Sequence, residues 1–138
     1  MIFLRGEDEI VSAYVSGQTG DQYTDVLRTL GILNHEGRII GGFVVTNYTG
    51  FGAELSIAGR GCVARDAWKA LGDIVFGELG CQRLSVTTRR SNKRVRKMAP
   101  KFKFKFEGIA RRFYGDEDGI VFSLLRDEAI LHKYWKDS

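Results

Sequence analysis

A chain of 138 residues, 43% hydrophobic and 28% charged, holds apolar material for one compact domain over 1–138 and leaves no room for a second. No apolar run reaches the ~18 residues of a membrane span, and the opening Met1-Ile2-Phe3-Leu4-Arg5-Gly6-Glu7-Asp8 lacks the layout of a secretory leader, so a cytoplasmic chain without a membrane role is expected. A formal charge of +4 and a pI near 9.2 suit an anionic partner: every charged side chain from Arg89 to Lys105 is basic, whereas Glu7, Asp8, Glu9 and Asp116, Glu117, Asp118 form acidic blocks.

Ile2-Phe3-Leu4 reads as a short strand and Ile10 to Val15 as a modest helix whose N-terminus is favoured by Glu7 to Glu9, with Gly17 and Gly20 in the loop that follows. Asp25 to Asn34, the turn Asn34-His35-Glu36-Gly37, and the β-branched and aromatic run Arg38 to Tyr48 predict a hairpin. Thr49-Gly50-Phe51-Gly52 turns the chain into a third strand, Ala53 to Ile57. Beyond it Val63, Ala67, Ala70, Leu71, Ile74, Val75 and Leu79 recur at helical spacing, with Gly80 as the stop. Gln82 to Thr88 alternates apolar and polar; returning from a helix, it is expected to lie parallel to Glu54–Ile57. Ser91 to Ala99 reads as a short helix that Pro100 ends or bends. Lys101-Phe102-Lys103-Phe104-Lys105-Phe106 reads as a half-buried strand with its aromatics on one face, and Ile120 to Leu125 closes the sheet after the Gly115–Gly119 turn. The tail, Ile130 to Ser138, is expected to be a short helix or loosely held. This order of elements is α+β, with a mixed sheet.

The stretch Glu54 to Arg65 concentrates the chemistry. A strand enters the glycine-bracketed loop Gly59-Arg60-Gly61 and then the longest helical pattern, an arrangement in which backbone amides and the helix dipole can hold an anion. Cys62, at the start of that helix, is expected to have a depressed pKa, but no histidine stands near it in sequence to make a nucleophilic pair, and it is read as a small residue lining the loop. Cys62 and Cys81 lie at opposite ends of the helix, too far apart for a disulfide, and read as free thiols of a reducing compartment. His35 falls on a hairpin tip and His132 in the tail; neither the histidines nor the cysteines cluster as metal ligands do.

Over roughly Arg38 to Leu125, the order of elements and their motifs resemble the GNAT superfamily of acyl-CoA N-acyltransferases, closest to its ribosomal-protein and amino-terminal acetyltransferase branch. Ile57-Ala58-Gly59-Arg60-Gly61-Cys62-Val63 stands in the place of the family's Arg/Gln-x-x-Gly-x-Gly/Ala loop; Asn92, Phe104 and Glu107-Gly108 follow at the family's distances; Phe122-Ser123-Leu124-Leu125-Arg126-Asp127-Glu128 is similar to its closing Tyr-Ser-Leu-Leu-Arg-x-Glu. The resemblance implies a central, mostly antiparallel sheet with flanking helices and a parallel βαβ pair that splays into a V-shaped opening. It implies an N-acetyltransferase that binds acetyl-CoA there and transfers acetyl directly to a protein amino group or a small-molecule amine. The residues it places at the cofactor are Ile57, Gly59, Arg60, Gly61, Cys62, Val63, Ala64, Arg65 and Asn92. A backbone N–H at about Ser56 or Ile57 would face the thioester carbonyl, and Glu54, at the start of the strand beside the cleft, is the candidate base. Asn47 and Tyr48 would line the acceptor side. The chain departs from the family pattern at Ala58, Val63 and Lys103, and Ala99 stands where many members carry a tyrosine that protonates the departing thiolate. The rival reading is a non-catalytic basic module of the same fold, monomer or homodimer, holding nucleic acid or a host protein; a phage-type relative is a further possibility suggested by the short length and basic face.

Overall fold

The computed structural model describes residues 2–131 and residue 135. Its strands are β1 (Ile2–Leu4), β2 (Arg28–Leu33), β3 (Ile39–Thr46), β4 (Gly52–Ala58), β5 (Arg83–Arg89), β6 (Lys105–Ala110) and β7 (Gly119–Leu125). They form one seven-stranded sheet in the order β1-β2-β3-β4-β5-β7-β6. Every neighbouring pair is antiparallel except β4 and β5, so the expected mixed α+β sheet with one parallel step is the sheet observed.

Both faces are covered, and the alternation along β3 shows how. Phe43 and Val45 point to one side and Val44 to the other, and all are buried. On the Phe43 side lie α2 (Arg65–Gly72) and α3 (Lys93–Lys101), which share a core with Leu55, Ile57, Leu71, Val95 and Phe102. On the Val44 side α1 (Asp8–Thr19) packs Val11 and Val15 against Val44 and Ala58. At Gly42 a Cβ would meet Val15 at 2.8 Å, so the absence of a side chain on β3 is what lets α1 come so close. A short α4 (Arg126–Ala129) follows β7.

Several boundaries differ from those read in the sequence. α1 runs through Gly17 and stops only at Gly20, which is left-handed (φ 80°) with its N–H on the Ser16 carbonyl; packing of Val11 and Val15 outweighs one glycine's poor propensity. The pattern from Val63 to Leu79 is not one regular helix but a 3₁₀ turn (Arg60–Val63), α2, and a wide π-type turn (Asp73–Glu78) in which Leu79 N–H reaches the Ile74 carbonyl at 2.9 Å. Lys101 to Phe104 is not strand: α3 continues through Pro100 to Lys101, Lys103 takes a left-handed conformation (φ 73°), and β6 begins at Lys105. Phe102 and Phe104 are buried as the alternation predicts, while Phe106 is 61% exposed on the sheet's edge strand.

The tail is also more firmly placed than expected where it is described. Trp135 is buried: its ring lies 5.2 Å from Trp68 and 5.7 Å from Phe76, and its indole N–H donates to the Phe102 carbonyl at 2.9 Å. Trp68 stacks on Phe102 at 4.5 Å, meets Phe43 edge-on, and donates its indole N–H to the Cys62 carbonyl at 2.6 Å, tying the loop after β4 into the core.

Candidate active site

The parallel pair β4–β5 is in register only from Gly52↔Arg83 to Leu55↔Val86, although β4 continues to Ala58 and β5 to Arg89. Beyond Leu55 the strands have no ladder to each other, which leaves the β5-facing backbone of Ser56 to Ala58 open to a cavity. Alternation places Glu54 and Ser56 of β4 on the α1 side of the sheet, with Thr87 and Arg89 of β5 beside them.

Two cavities, each of about 280 Å³, meet at this opening. The first is lined by Ser56, Ile57, Gly59 and Asn92, and by Val95 and Met98, one helical turn apart on α3. The second is lined by Glu54 and Asn47, with Thr24, Thr46 and Phe113 around them. Asp21, Tyr23, Leu55, Ser56, Thr87 and Tyr114 belong to both and form the throat between them.

The throat is held by charge. Arg89 bonds Asp21 at 3.0 Å, lies 3.7 Å and 3.6 Å from the carboxylates of Asp116 and Glu117, and sits 4.3 Å from the centre of the Tyr114 ring. It therefore links the loop after α1 to the loop between β6 and β7 over the end of β5. The hydrogen bond that Arg89 donates to the Asp21 carboxylate is the main cause of its raised pKa. Burial, reinforced by the Asp21 carboxylate, pushes the Tyr114 hydroxyl well above its ordinary value, and that hydroxyl donates to the Thr87 carbonyl at 3.0 Å. Burial likewise raises Tyr23, whose hydroxyl lies 2.9 Å from Thr19 Oγ1. Glu54 accepts a 2.8 Å hydrogen bond from the side-chain amide of Asn47, itself left-handed (φ 52°) at the end of β3.

Of the residues singled out in the sequence, Ser56, Ile57, Gly59 and Asn92 come together in the first cavity, and Glu54 joins Ser56 in the second. Arg60 stands just outside, where Arg38 and Arg94 converge with Gly59 on a neighbouring groove. Gly61, Cys62, Val63, Ala64 and Arg65 line neither cavity; Gly61 and Cys62 are buried behind the loop and Val63 is 49% exposed. The glycines serve packing: a Cβ on Gly59 (φ 93°) would lie 2.6 Å from Gly41 Cα and overlap the Ile40 carbonyl oxygen and the Tyr14 hydroxyl. Cys62 corrects the expectation of an activated thiol, since burial pushes its pKa up to about 12 and its one S–H has the carbonyl oxygens of Ala58 and Gly42 within reach, at 3.2 Å and 3.4 Å. Asn92 caps α3 by accepting the Val95 N–H at 3.2 Å. Asn47 reaches the second cavity, whereas Tyr48 lines an outer groove and bonds the Leu79 carbonyl. Ala99 is buried in the core, outside both cavities. His35 is an exposed turn residue, His132 lies outside the described residues, and no group of metal-ligating side chains occurs among those described. No helix is long and apolar enough to cross a membrane among the described residues.

Asp21, Tyr23, Arg89 and Tyr114 were not legible as site residues. They come from loops and a strand end, and only the sheet's topology brings them to one place.

No family sequence model matches the chain, and no curated protein matches it by sequence. Solved structures do. A GCN5-related N-acetyltransferase from Brucella melitensis matches at TM-score 0.66 and 24% identity over 80% of this chain and 57% of its own. The ribosomal-protein-S5-alanine acetyltransferase of Vibrio fischeri matches at TM-score 0.63 and 20% identity over 80% of this chain and 64% of its own. A mutant form of the spermidine/spermine N-acetyltransferase of Vibrio cholerae matches at TM-score 0.73 and 13% identity over 96% of this chain and 98% of its own. The chain thus spans under two thirds of the length of the first pair and nearly all of the third. With the splayed parallel pair and its flanking cavities, these likenesses show that the chain has the GNAT acetyltransferase fold.

Proposed function

We propose that the protein is an acetyl-CoA-dependent N-acetyltransferase that passes an acetyl group directly to an amine. One observation carries the reading: the only parallel strand pair in the described sheet opens past Leu55 into two cavities that meet at Ser56, one for a donor and one for an acceptor. The residues present fit acetyl-CoA. The first cavity suits its thin pantetheine arm, and Arg38, Arg60 and Arg94 gather beside Gly59, where its phosphates would lie. When bound, the thioester supplies the activated acetyl group. The chain's part is to align donor and amine across the throat, to offer the backbone N–H of Ser56 or Ile57 to the carbonyl oxygen, and to take a proton from the incoming ammonium at Glu54. Ile57, Gly59, Arg60 and Asn92 are the cofactor contacts in this reading, and Gly61 and Cys62 pack behind the loop.

Calorimetric titration with acetyl-CoA tests it. Micromolar binding is expected, with Arg60→Glu and Arg94→Glu each weakening it about tenfold through charge reversal. A wild type that shows no heat at high micromolar ligand overturns the reading. The solved neighbours act on polyamines and on a ribosomal protein by their descriptions, so both acceptor types belong in a mass-spectrometric panel.

One feature favours the basic-module alternative. Arg90, Lys93, Arg96 and Lys97 wall a groove floored by Ile120 and Phe122, with exposed Phe106 and Ile109 at its edge, a combination suited to single-stranded nucleic acid. Salt-sensitive binding of an oligonucleotide without acetyl-CoA binding would select it.

A further inference from the structure

The departing thiolate of the proposed reaction needs a proton, and α3 offers none: Ala99 is buried in the core, and the cavity takes only Asn92, Arg94, Val95 and Met98 from that segment. The hydroxyls near the opening differ in what their protons are doing. Tyr14 borders the outer groove with Arg60 and lies in neither cavity. Tyr114 gives its proton to the Thr87 carbonyl and has its ring covered by Arg89. Tyr23 stands in the throat, common to both cavities, within reach of the Ser56 hydroxyl.

The partners of Tyr23 fix the direction of its hydrogen bond. Thr19 Oγ1 donates its single proton to the Val15 carbonyl at 3.0 Å and accepts the Asp21 N–H at 3.2 Å. The 2.9 Å contact between Thr19 and Tyr23 must then run from the phenol to the threonine. At rest Tyr23 carries its proton on a neutral, exchangeable acceptor beside the opening.

We infer that Tyr23 is the proton donor to the leaving thiolate, with the Ser56 hydroxyl as the link that restores its proton. The inference rests on the acetyl-transfer reading above. As the amine nitrogen attacks, the C–N bond forms; as the carbonyl re-forms, the C–S bond breaks and its electron pair goes to sulfur. Tyr23 turns its O–H from Thr19 to that sulfur and gives up the proton. The nitrogen, now carrying one proton too many, returns one through Ser56 to the phenolate. Amine and thioester become amide and thiol, and no proton is gained or lost. The proton left on nitrogen after the attack thus goes to Tyr23, whereas Glu54 acts earlier, taking one from the incoming ammonium. The other charged group facing Tyr23 is Asp21, whose carboxylate is engaged by Arg89.

The test is Tyr23→Phe, which keeps the ring that packs beside α1 and removes only the hydroxyl. Three readouts are taken on the full chain: acetyl-CoA affinity by calorimetry, melting temperature, and kcat with whichever amine of the panel the wild type acetylates. Expected are an unchanged melting temperature, an affinity within twofold, and a kcat lower by about 100-fold. A kcat within threefold of wild type overturns the assignment, and so does a variant that has lost acetyl-CoA affinity, because the hydroxyl would then serve binding. A wild type that binds no acetyl-CoA, or acetylates no amine, fails at the earlier step and takes both readings with it.

Discussion

Cys62 shows how far one side chain's role depends on where the chain buries it. At a helix start in the sequence it suggests a reactive thiolate; in the fold it is 0% exposed, and burial favours the neutral thiol. Its folded pKa, raised from 9.0 to about 12, lies above the unfolded value. The stability it contributes is therefore complete below pH 9 and is lost as pH rises from 9 to about 12, because only the unfolded chain can release the proton there. Urea unfolding between pH 8 and 11 should show that decline, and Cys62→Ala should make it shallower, the half-buried tyrosines Tyr23 and Tyr114 supplying the rest. Native protein at pH 7.5 should leave Cys62 unlabelled by a thiol reagent that modifies it in urea.

The loop after β4 carries its glycines for reasons of contact as much as of conformation. Gly59 and Gly50 both have positive φ, 93° and 88°, but only Gly59 has backbone where a Cβ would go; Gly50 faces open space. Gly50→Ala should cost about 1 kcal/mol from backbone strain alone, and Gly59→Ala more than about 2 kcal/mol, measured by urea unfolding. Equal costs would remove the argument that β3 and Tyr14 press on this loop. At this scale the sequence is a good guide wherever a local signal exists. The β2–β3 hairpin, the parallel return of β5 and the cap at Asn92 are all readable from turn residues and alternation. It misleads where a pattern has two physical solutions. Phe102 and Phe104 are buried two residues apart as in a strand, yet a helix end and a left-handed Lys103 bury them equally well. A positive φ is usually a glycine's, so with a lysine at position 103 nothing in the sequence marks the start of β6. The throat residues carry no local signal, since Asp21 and Arg89 are 68 positions apart and meet only when the sheet closes.

Across the whole molecule, one break in the β4–β5 ladder opens the two cavities, and a packed layer lies on either face of the sheet. α1 covers one face through Val11 and Val15, and the loop behind it lays Asp21 and Tyr23 over the opening; the other face is fixed by the Trp68 cluster. That cluster has an optical consequence. The chain's 2 tryptophans are the same pair that touch there, with centroids 5.2 Å apart and planes 65° from parallel. Two like transition dipoles so close and so inclined should couple, giving the folded protein an indole exciton couplet in circular dichroism. Replacing either Trp68 or Trp135 by Phe should abolish that couplet entirely rather than halve it. Every tryptophan signal then reports a single point, where residue 135 meets the sheet's own core, and native protein can be distinguished from chain in which that one junction has opened.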